Sequence, residues 1–446
     1  MKFIPNSCLK NTMLEEIGLK DIEDLFFDIP DKIKIKELNL PLGLSQQETE
    51  KKLREIANKN QSLNDILSFL GGGVKPHYIP AVVKSIISRA EFFTAYTPYQ
   101  CEASQGFLQA TFEYQSMIAE LTGMDVANAS LYDGATALGE AALMSVRING
   151  RKKFVIPKNI SWEKKSVLKN YSKGPNIELI EVPFDIETGK IDLNFLEKNV
   201  DKNTSGVYIE NPNFFGVFED DVDKIFDIVK NNDALFIVGI DPISLGIVKS
   251  PGEYGADIVI GEGRALGNFM DFGGSSLGIF ACKKEFVRQM PGRIIGLTKD
   301  KDGKRAFCMA LQTREQHIRR GKATSNICTN EGLCAVAAVV FLSVLGGNGL
   351  ENLSRKNFEN AQILADKIKS VNGFSLMFNS SFFNEFVVKC DKDPKLVNKK
   401  LLKRKIQGGL IIDKWYNELK NCMLFGTTEM HCASDFETLV SALKEV

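Results

Sequence analysis

One short segment of the chain concentrates side chains that can bind a polar ligand and move a proton. The ten positions from Tyr96 to Gln105 hold two tyrosines, two glutamines, one glutamate and one serine, namely Tyr96, Tyr99, Gln100, Glu102, Ser104 and Gln105. Tyrosine and glutamine can hydrogen-bond a small ligand, and a glutamate can transfer a proton. The same residues also fit a polar turn before a helix, with Pro98 fixing the bend. The residues alone leave both interpretations open.

Composition argues against several other functions. Lys+Arg and Asp+Glu both number 56, so the chain lacks the basic excess that is typical of nucleic-acid binders. The three histidines, His77, His317 and His431, are far apart, which disfavours a histidine-built zinc site. Nine cysteines without a Cys-x-x-Cys pair predict reduced thiols in a cytoplasmic protein. The apolar run Leu333–Leu345 is too short to span a bilayer, and Met1–Asn6 predicts no signal peptide.

The hydrophobic pattern indicates the elements that must position these residues. Short β-rich runs with helix-length spacers between several of them predict βαβ units and a mostly parallel sheet. The runs are Phe154–Ile156, Ile177–Val182, Gly206–Ile209, Phe236–Ile240 and Asp257–Ile260, and the clearest helical spacer is Asp221–Lys230. Active groups in such sheets gather at the carboxyl ends of the strands.

Three regions are predicted along the chain. Residues 1–75 form a helical N-terminal arm with a capping box at Ser45–Glu48. Residues 76–330 form the large α/β domain, and residues 331–446 a smaller α+β domain. The elements predicted for the smaller domain are helices at Glu331–Leu345, Leu353–Ser370 and Phe436–Lys444, and strands at Phe374–Met377 and Glu385–Val388.

This layout resembles the fold-type I family of pyridoxal-phosphate (PLP) enzymes, which have the aminotransferase fold. Three marks carry the resemblance: a small-residue helix opening at Asp133–Thr136, Asn211–Asn213 after one strand, and Asp241 after the next. Backbone amides at such a helix start can hold a phosphate. In that fold an aspartate at a strand end usually pairs with the pyridinium nitrogen of PLP. The resemblance implies an α/β, aminotransferase-like fold.

The lysine that such enzymes need for the internal Schiff base is missing. In this fold it lies just beyond the strand after the aspartate, here Asp257–Ile260, and no lysine occurs between Lys249 and Lys283. Arg264 stands near the expected place, but an arginine is too strongly protonated to act as the amine nucleophile. We therefore expect a PLP fold without its own Schiff-base lysine. A stand-alone PLP enzyme that uses Lys249 or Lys283, and a regulatory or scaffold protein with a degenerate PLP fold, remain alternatives.

Longer motifs resemble one family within this fold, glycine decarboxylase, the P-protein of the glycine cleavage system. The segment Tyr96–Gly106 resembles the family pattern Tyr-Thr-Pro-Tyr-Gln-Pro-Glu-x-Ser-Gln-Gly, with Cys101 where the family usually has proline. The other matching segments are Leu121–Ser130, Met290–Arg293, Leu311–Arg320 and Lys322–Asn330. The resemblance covers the whole chain and is to subunit 1 of the two-subunit form.

The family implies a divided enzyme. Its subunit 2 carries PLP, which acts as the electron sink while glycine loses carbon dioxide. The aminomethyl group then passes to the lipoyl arm of the H-protein. The family assembly is α2β2, and subunit 1 completes a site on subunit 2 without binding the cofactor covalently. With this resemblance we interpret the six residues between Tyr96 and Gln105 as groups that face the partner's bound glycine.

Further candidates follow from the same resemblance. Thr324, Ser325 and Asn326 are small donors that can reach the PLP phosphate of the partner, although they also fit an N-cap for the following helix. The spacing of basic residues over Arg314–Arg320 predicts a helical interface face, and the helix Glu331–Leu345 is a second candidate contact surface. His77 is predicted to be a hydrogen-bonded structural residue rather than a base.

Overall fold

The computed structural model describes residues 7–35 and 37–446. The prediction that Met1–Asn6 is not part of a signal peptide therefore concerns residues outside the described ones. The chain forms two compact units, Met1–Gln61 and Ser62–Val446. The first unit therefore ends before residue 75, the end of the predicted arm. The predicted boundary at residue 330 stays a prediction.

The first unit contains two α-helices, α1 (Lys10–Glu16) and α2 (Gln46–Ala57). The Ser45 hydroxyl accepts a hydrogen bond from the Glu48 amide, while the Glu48 carboxylate accepts one from the Ser45 amide. These reciprocal bonds satisfy donors that the first helical turn leaves free, and they confirm the predicted capping box.

A seven-stranded sheet forms the centre of the second unit. From its start to the last strand of this sheet, the second unit contains the following elements: β1 (Leu67–Ser68), α3 (Ala81–Ile87), α4 (Ala90–Phe93), α5 (Gln105–Thr122), β2 (Val126–Ala127), α6 (Gly134–Asn149), β3 (Lys153–Pro157), α7 (Trp162–Lys173), β4 (Glu178–Val182), α8 (Leu193–Asn199), β5 (Thr204–Glu210), α9 (Val222–Asn231), β6 (Leu235–Ile240), β7 (Ile258–Glu262) and β8 (Gly278–Cys282). The sheet order is β2-β8-β7-β6-β5-β3-β4. Strands β3 to β7 are parallel to one another, and β8 is antiparallel to both β2 and β7. The five predicted strands and the mostly parallel sheet are confirmed.

The central strands of this sheet are buried on both faces. In β3, Phe154 and Ile156 belong to one hydrophobic cluster and Val155 to the other, because successive side chains of a strand point to opposite faces. Parallel strands covered by helices on both sides read as continuous apolar runs. This is why the sequence pattern located them.

A hairpin and two helices follow the sheet: β9 (Ile294–Lys299), β10 (Arg305–Ala310), α10 (Gln316–Arg319) and α11 (Gly332–Lys369). β9 and β10 pair in antiparallel fashion, and Phe307 on β10 packs against Phe112 on α5. Leu108 on α5 belongs to the same small cluster. The hairpin thus supports the start of α5, where the polar segment of the sequence ends.

Helix α11 unites two helices that the sequence predicted separately. A break remains at Gly346, whose φ of 60° and ψ of −175° are not helical. Among the described residues, α11 is the one helix long and apolar enough to cross a membrane by length and composition. It is longer than the thirteen-residue run Leu333–Leu345 on which the sequence-based prediction relied. Core helices of soluble proteins pass the same test, and Ala335, Val336 and Ala338 on α11 are buried.

The remaining elements are β11 (Phe374–Leu376), β12 (Glu385–Cys390), α12 (Pro394–Leu402), β13 (Ile406–Gln407), β14 (Leu410–Ile411), β15 (Cys422–Gly426) and α13 (Ala433–Lys444). They include an antiparallel sheet of order β11-β12-β15-β14, which matches the predicted α+β pattern. β1 pairs with β13 in parallel. Residues 67–68, placed in the arm by the sequence, thus belong with these C-terminal elements.

Candidate functional site

A cavity of about 510 Å³ opens where the central parallel strands end. Glu210 ends β5, Asp241 follows β6 and Glu262 ends β7, and all three line the cavity. Asp133 and Gly134 border it from the start of α6. We call this cavity the sheet-end pocket. It lies where ligands bind in open α/β sheets.

The helix start that borders the sheet-end pocket is already occupied by carboxylates of this chain. The Asp133 carboxylate accepts from the Thr136 amide at 2.7 Å, and the Glu262 carboxylate accepts from the Gly134 amide at 3.1 Å. Glu262 also accepts from the amides of Arg264 and Leu277. An added phosphate would compete with these fixed negative charges for the amides.

Several carboxylates line the sheet-end pocket, namely Asp133, Glu163, Glu210, Asp241, Glu262 and Glu385. Burial raises the pKa of the Glu163 carboxyl, which lines the sheet-end pocket. Burial, followed by the negative charges of Asp133 and Glu262, also raises the pKa of the nearby Glu331. A phosphate would therefore enter a site where carboxylates already repel negative charge.

The lysines of the sheet-end pocket are held in ion pairs. Lys164 contacts Glu210 at 2.5 Å, and Lys75 contacts Glu385 at 3.3 Å. Glu385 also accepts from the amides of the Gly71–Gly73 turn, at 2.6 Å from the second glycine. The sequence missed both lysines, because each reaches the pocket from an element distant in the chain.

The two lysines considered as alternatives lie elsewhere. Lys283 follows β8 and contacts Asp257 at 2.6 Å. Asp257 lies directly before β7, so this contact is at the opposite end of the parallel strands from the sheet-end pocket. Lys249 is exposed and does not line the pocket. Arg264 donates to the Ser276 hydroxyl at 2.8 Å and to backbone carbonyls nearby. The residues of the sheet-end pocket therefore do not fit PLP, despite the well-placed Asp241.

The segment singled out first in the sequence forms a loop between α4 and α5 on the surface. Tyr96 is 81% exposed and Tyr99 58% exposed, and Gln100 and Glu102 are also exposed. We call these four residues the tyrosine face. Large aromatic side chains with free hydroxyl groups are common where a second protein binds.

The other two residues of that segment are less open. Ser104 is half-buried and is the N-cap residue of α5, without a side-chain cap hydrogen bond. The Gln105 amide group exchanges hydrogen bonds with the Phe307 backbone at 2.8 and 2.9 Å, and it also donates to the Cys101 carbonyl. Gln105 therefore fastens the loop to β10, and its role towards a ligand stays a prediction.

The second candidate segment lies beside the tyrosine face. The rings of Tyr99 and His317 are 6.2 Å apart, and Gln316 donates to Asn326 at 2.8 Å. The Ser325 hydroxyl accepts from the Ile327 amide at 3.0 Å in a local turn.

The alternative N-cap role of Thr324–Asn326 is wrong. The next helix begins at Gly332 and its N-cap residue is Glu331. The three small residues therefore form a separate turn. Thr324 and Ser325 are half-buried, and Asn326 is exposed.

The predicted basic helical face at Arg314–Arg320 is also wrong. Only Gln316–Arg319 is α-helical, and Arg320 has a φ of 52°. Arg314 is buried, and its guanidinium donates to the carbonyls of Met290 and Gly292. The helical spacing of the basic residues was misleading because Arg314 bonds to a turn far away in the sequence.

His77 confirms the expectation of a structural histidine. Its Nδ1 lies 3.0 Å from the Glu429 carboxylate, which also accepts from the Tyr78 amide. Burial alone would raise the pKa of Glu429, but its hydrogen bonds and the His77 charge lower the pKa to about 2.

One residue that the sequence did not single out connects the loop of the tyrosine face with residues 328–330, just after the turn at Thr324–Asn326. The Arg293 guanidinium is 5.7 Å from the Tyr99 ring and donates to the Cys328 carbonyl at 2.7 Å. It also lies 3.0 Å from the Thr329 hydroxyl and 3.4 Å from the Thr97 hydroxyl. The one available signal was its place in a motif, Met290–Arg293, that no function had explained.

The chain matches a protein-family model described as "Glycine cleavage system P-protein" over residues 1–443. Relatives named "Probable glycine dehydrogenase (decarboxylating) subunit 1" include one from Thermococcus kodakarensis, 50% identical over 100% of this chain and 98% of that protein. Another, from Pyrococcus horikoshii, is 49% identical over 100% and 99%. One from Desulfitobacterium hafniense is 44% identical over the full length of both chains.

Solved structures agree with these sequence matches. A crystal structure described as glycine decarboxylase (P-protein) of the glycine cleavage system, in inhibitor-bound form, has a TM-score of 0.91 at 40% identity and covers 100% of both chains. A glutamate decarboxylase from Lactobacillus brevis has a TM-score of 0.67 at 12% identity, covering 93% of this chain and 95% of its own. At that low identity the likeness concerns the fold alone, which confirms the predicted aminotransferase-like class.

Proposed function

The chain belongs to the glycine cleavage system P-protein family, and from this premise we propose that it completes an active site whose PLP is carried by a partner subunit. It supplies subunit 1 of a glycine dehydrogenase (decarboxylating), an enzyme with two kinds of subunit. The observation that carries the proposal is the contrast between the sheet-end pocket, filled by this chain's own charges, and the tyrosine face, which is left open.

The sheet-end pocket supports placing the cofactor on the partner. The Gly134 amide at the start of α6 donates to Glu262, and Lys75 and Lys164 are held by Glu385 and Glu210. A covalent cofactor needs a free amine, and a phosphate needs free donors. In the described residues of this pocket, both lysines are ion-paired, and the Gly134 and Thr136 amides are already bonded to carboxylates.

The tyrosine face supports a role towards glycine. The glycine carboxylate has to leave as neutral carbon dioxide, so a site that binds it tightly in the ground state would slow the reaction. The neutral hydroxyl groups of Tyr96 and Tyr99 and the amide of Gln100 bind a carboxylate more weakly than an arginine pair would. Glu102 stands beside them as a group that can hold or move a proton.

The turn at Thr324–Asn326 supplies small donors next to that face. We assign these residues to the phosphate of the partner's PLP, because hydroxyl and amide groups are suited to bind phosphate oxygens. The lipoylated H-protein is the proposed acceptor of the aminomethyl group, and the proposed assembly is α2β2. Obligate assemblies of this kind commonly bury about 2,000 Å² or more.

The test is reconstitution with subunit 2. Co-purified subunits should release carbon dioxide from glycine in the presence of lipoylated H-protein, and sedimentation should show a heterotetramer. Subunit 2 that decarboxylates glycine fully on its own would refute the proposal.

A second measurement addresses the cofactor. Borohydride reduction of the isolated chain with PLP, followed by peptide mapping, should give no stoichiometric label. A single fully labelled lysine in the sheet-end pocket, such as Lys164, would place the cofactor on this chain instead.

A further inference from the structure

The guanidinium of Arg293 is buried but has no carboxylate partner. Only 3% of the residue is exposed, and its Nε has no hydrogen-bond partner. Within the described ranges 7–35 and 37–446, no acidic group lies within ion-pair distance of it. Burying an unpaired charge costs free energy, so a retained one calls for a physical reason.

Some buried charges of the chain are neutralised by ion pairs, although the buried Arg314, like Arg293, donates to backbone carbonyls. The carboxylate of Asp257 is 2% exposed and contacts both Lys230 and Lys283 at 2.6 Å. Lys75, 3% exposed at its side chain, is paired with Glu385. These ion pairs neutralise charge inside the fold. Arg293 instead uses neutral acceptors on two different segments.

The backbone of the turn that precedes Arg293 is held in one conformation by its neighbours. Gly292 has a φ of +74°, and a Cβ there would lie 2.9 Å from the Asn128 amide nitrogen, so only glycine fits. Asn128 donates to the Pro291 carbonyl at 3.0 Å, and Arg314 donates to the Gly292 carbonyl at 3.0 Å. The turn is therefore fixed from two sides.

The groups that Arg293 contacts come from the loop of the tyrosine face and from residues 328–330, which follow the turn at Thr324–Asn326. On one side are the Thr97 hydroxyl and the Tyr99 ring, and on the other are the Cys328 carbonyl and the Thr329 hydroxyl. Asn330 lies at 3.4 Å from the same guanidinium nitrogen as Thr329. A planar fork with several fixed donors can hold two backbone segments at one distance, which a lysine ammonium cannot do equally well.

We propose that Arg293 is a positioning residue for the glycine reaction. It holds the tyrosine face against residues 328–330, and thereby sets the distance between Tyr99 and the turn at Thr324–Asn326. Its charge stays unpaired because an internal carboxylate would compete with these acceptors. The inference rests on the proposed function of the tyrosine face, and it adds the element that fixes the geometry of that face.

The decisive variant is Arg293→Lys in the reconstituted two-subunit enzyme. It keeps the charge but loses the fork, so kcat should fall about 100-fold through misplacement of the reacting groups. The KM for glycine should change little, because the groups that bind glycine remain present. Hydrogen exchange of the full chain should also become faster in peptides that cover residues 94–106 and 324–330.

Arg151→Lys is the matched control. One guanidinium nitrogen of Arg151 donates to the carbonyls of Thr204, Asn232 and Asp233, so Arg151 also joins separate segments through backbone oxygens, but it lies at the amino ends of the strands. This control should keep the wild-type kcat and leave exchange in the two segments unchanged. Equal losses in both variants would reduce Arg293 to a general structural role and refute the proposal.

Thr329→Val provides a second route if Arg293→Lys does not fold or assemble. It removes one acceptor of Arg293 at nearly constant volume, so kcat should fall in the same direction by a smaller factor. A wild-type kcat and unchanged exchange in this variant would overturn the proposal.

Tyr99→Phe distinguishes a failure of the positioning role from a failure of the proposed site. If it lowers turnover while Arg293→Lys and Thr329→Val do not, only the positioning role fails. If none of the three lowers turnover, the proposed site itself is wrong.

Discussion

The sheet-end pocket and the tyrosine face use polar groups in opposite ways. In the pocket, the carboxylates of Glu262 and Glu385 take the backbone amides, and Lys164 is paired with Glu210. On the face, Tyr96 and Tyr99 expose most of their side chains. The pocket has the position of an active site, but its groups bind one another. The face leaves its groups exposed to solvent.

This difference separates fold from function. Groups that satisfy each other inside a fold contribute to stability, whereas groups left free contribute to binding or catalysis when a partner arrives. Changes in the pocket should therefore alter stability and leave the rate intact. Changes on the face should alter the rate and leave stability intact. The predictions below test that separation.

The largest expected effect is on the tyrosine face. Tyr96→Phe, Tyr99→Phe and Glu102→Gln each remove one polar group from an exposed position, so the chain should fold and assemble normally. Removing one donor that acts on the transition state typically lowers the rate by about 10²–10³. Glycine decarboxylation by the reconstituted enzyme measures the loss. Three variants that assemble and react at the wild-type rate would show that the face is structural.

Tyr78→Phe is the control for these variants. Tyr78 is 62% exposed, but it lies next to His77 at the edge of the sheet-end pocket. The same chemical change there should leave the rate at its wild-type value. A comparable loss in Tyr78→Phe would mean that exposed tyrosines act through assembly in general.

The next effect is on stability and concerns Glu429. Its pKa of about 2 in the folded chain lies below the ordinary 4.5, so the folded state binds its proton less readily than the unfolded state does. The resulting stabilisation is fully present above pH ~4.5 and is lost as the pH falls towards ~2, amounting to about 3 kcal/mol. Urea unfolding at a series of pH values measures it.

Glu429→Gln should remove most of that pH dependence and lower the free energy of unfolding at neutral pH, because an amide cannot accept from His77, Tyr78 and Asn357 together. Turnover of the assembled enzyme should stay unchanged. Glu437→Gln, which breaks an exposed ion pair with Lys367, should change stability little. An unaltered acid profile in Glu429→Gln would contradict the assignment.

A smaller effect is expected at Cys101. The Ala103 amide donates to the Gln100 carbonyl, so Cys101 occupies the second position of a turn, where proline is favoured. Within the described residues, the Cys101 amide donates no hydrogen bond. Cys101→Pro should therefore raise the free energy of unfolding by about 0.4–1 kcal/mol and leave turnover unchanged.

Cys101→Ala isolates the loss of the thiol, which lies 3.6 Å from the Glu102 carboxylate. This variant should have wild-type stability and turnover. If both variants lose turnover, the thiol itself contributes to the face. Thermal unfolding and the decarboxylation assay together distinguish these results.

The sequence located the central sheet well, because strands buried on both faces, such as β5 and β6, are continuous apolar runs. It failed where distant contacts decide the structure. Arg314 has the spacing of a helical face, but its bonds to Met290 and Gly292 bury it. No local sequence pattern indicates such a long-range hydrogen bond.

The two regions were predictable to different degrees. The tyrosine face lies within ten consecutive residues, so its composition was visible in the sequence. The ion pairs of the sheet-end pocket join residues far apart in the chain, such as Lys75 with Glu385. Arg293 was not identified from the sequence for the same reason, since two residues that it contacts, Thr329 and Thr97, lie about 36 and 196 positions away.

The smallest expected effect tests the pocket at the residue that most resembles a catalytic one. Asp241 lies directly after β6, where a PLP enzyme would need its negative charge beside the pyridinium nitrogen. Its Oδ1 accepts from the Ile243 amide at 2.9 Å, and an asparagine keeps that acceptor. Asp241→Asn therefore removes the charge and retains the local structure. Because the pocket does not fit PLP, this variant should fold, assemble and decarboxylate glycine at the wild-type rate. A loss of tenfold or more, about 1.4 kcal/mol in the barrier, would mean that the pocket still takes part in catalysis and would end the separation between the two regions.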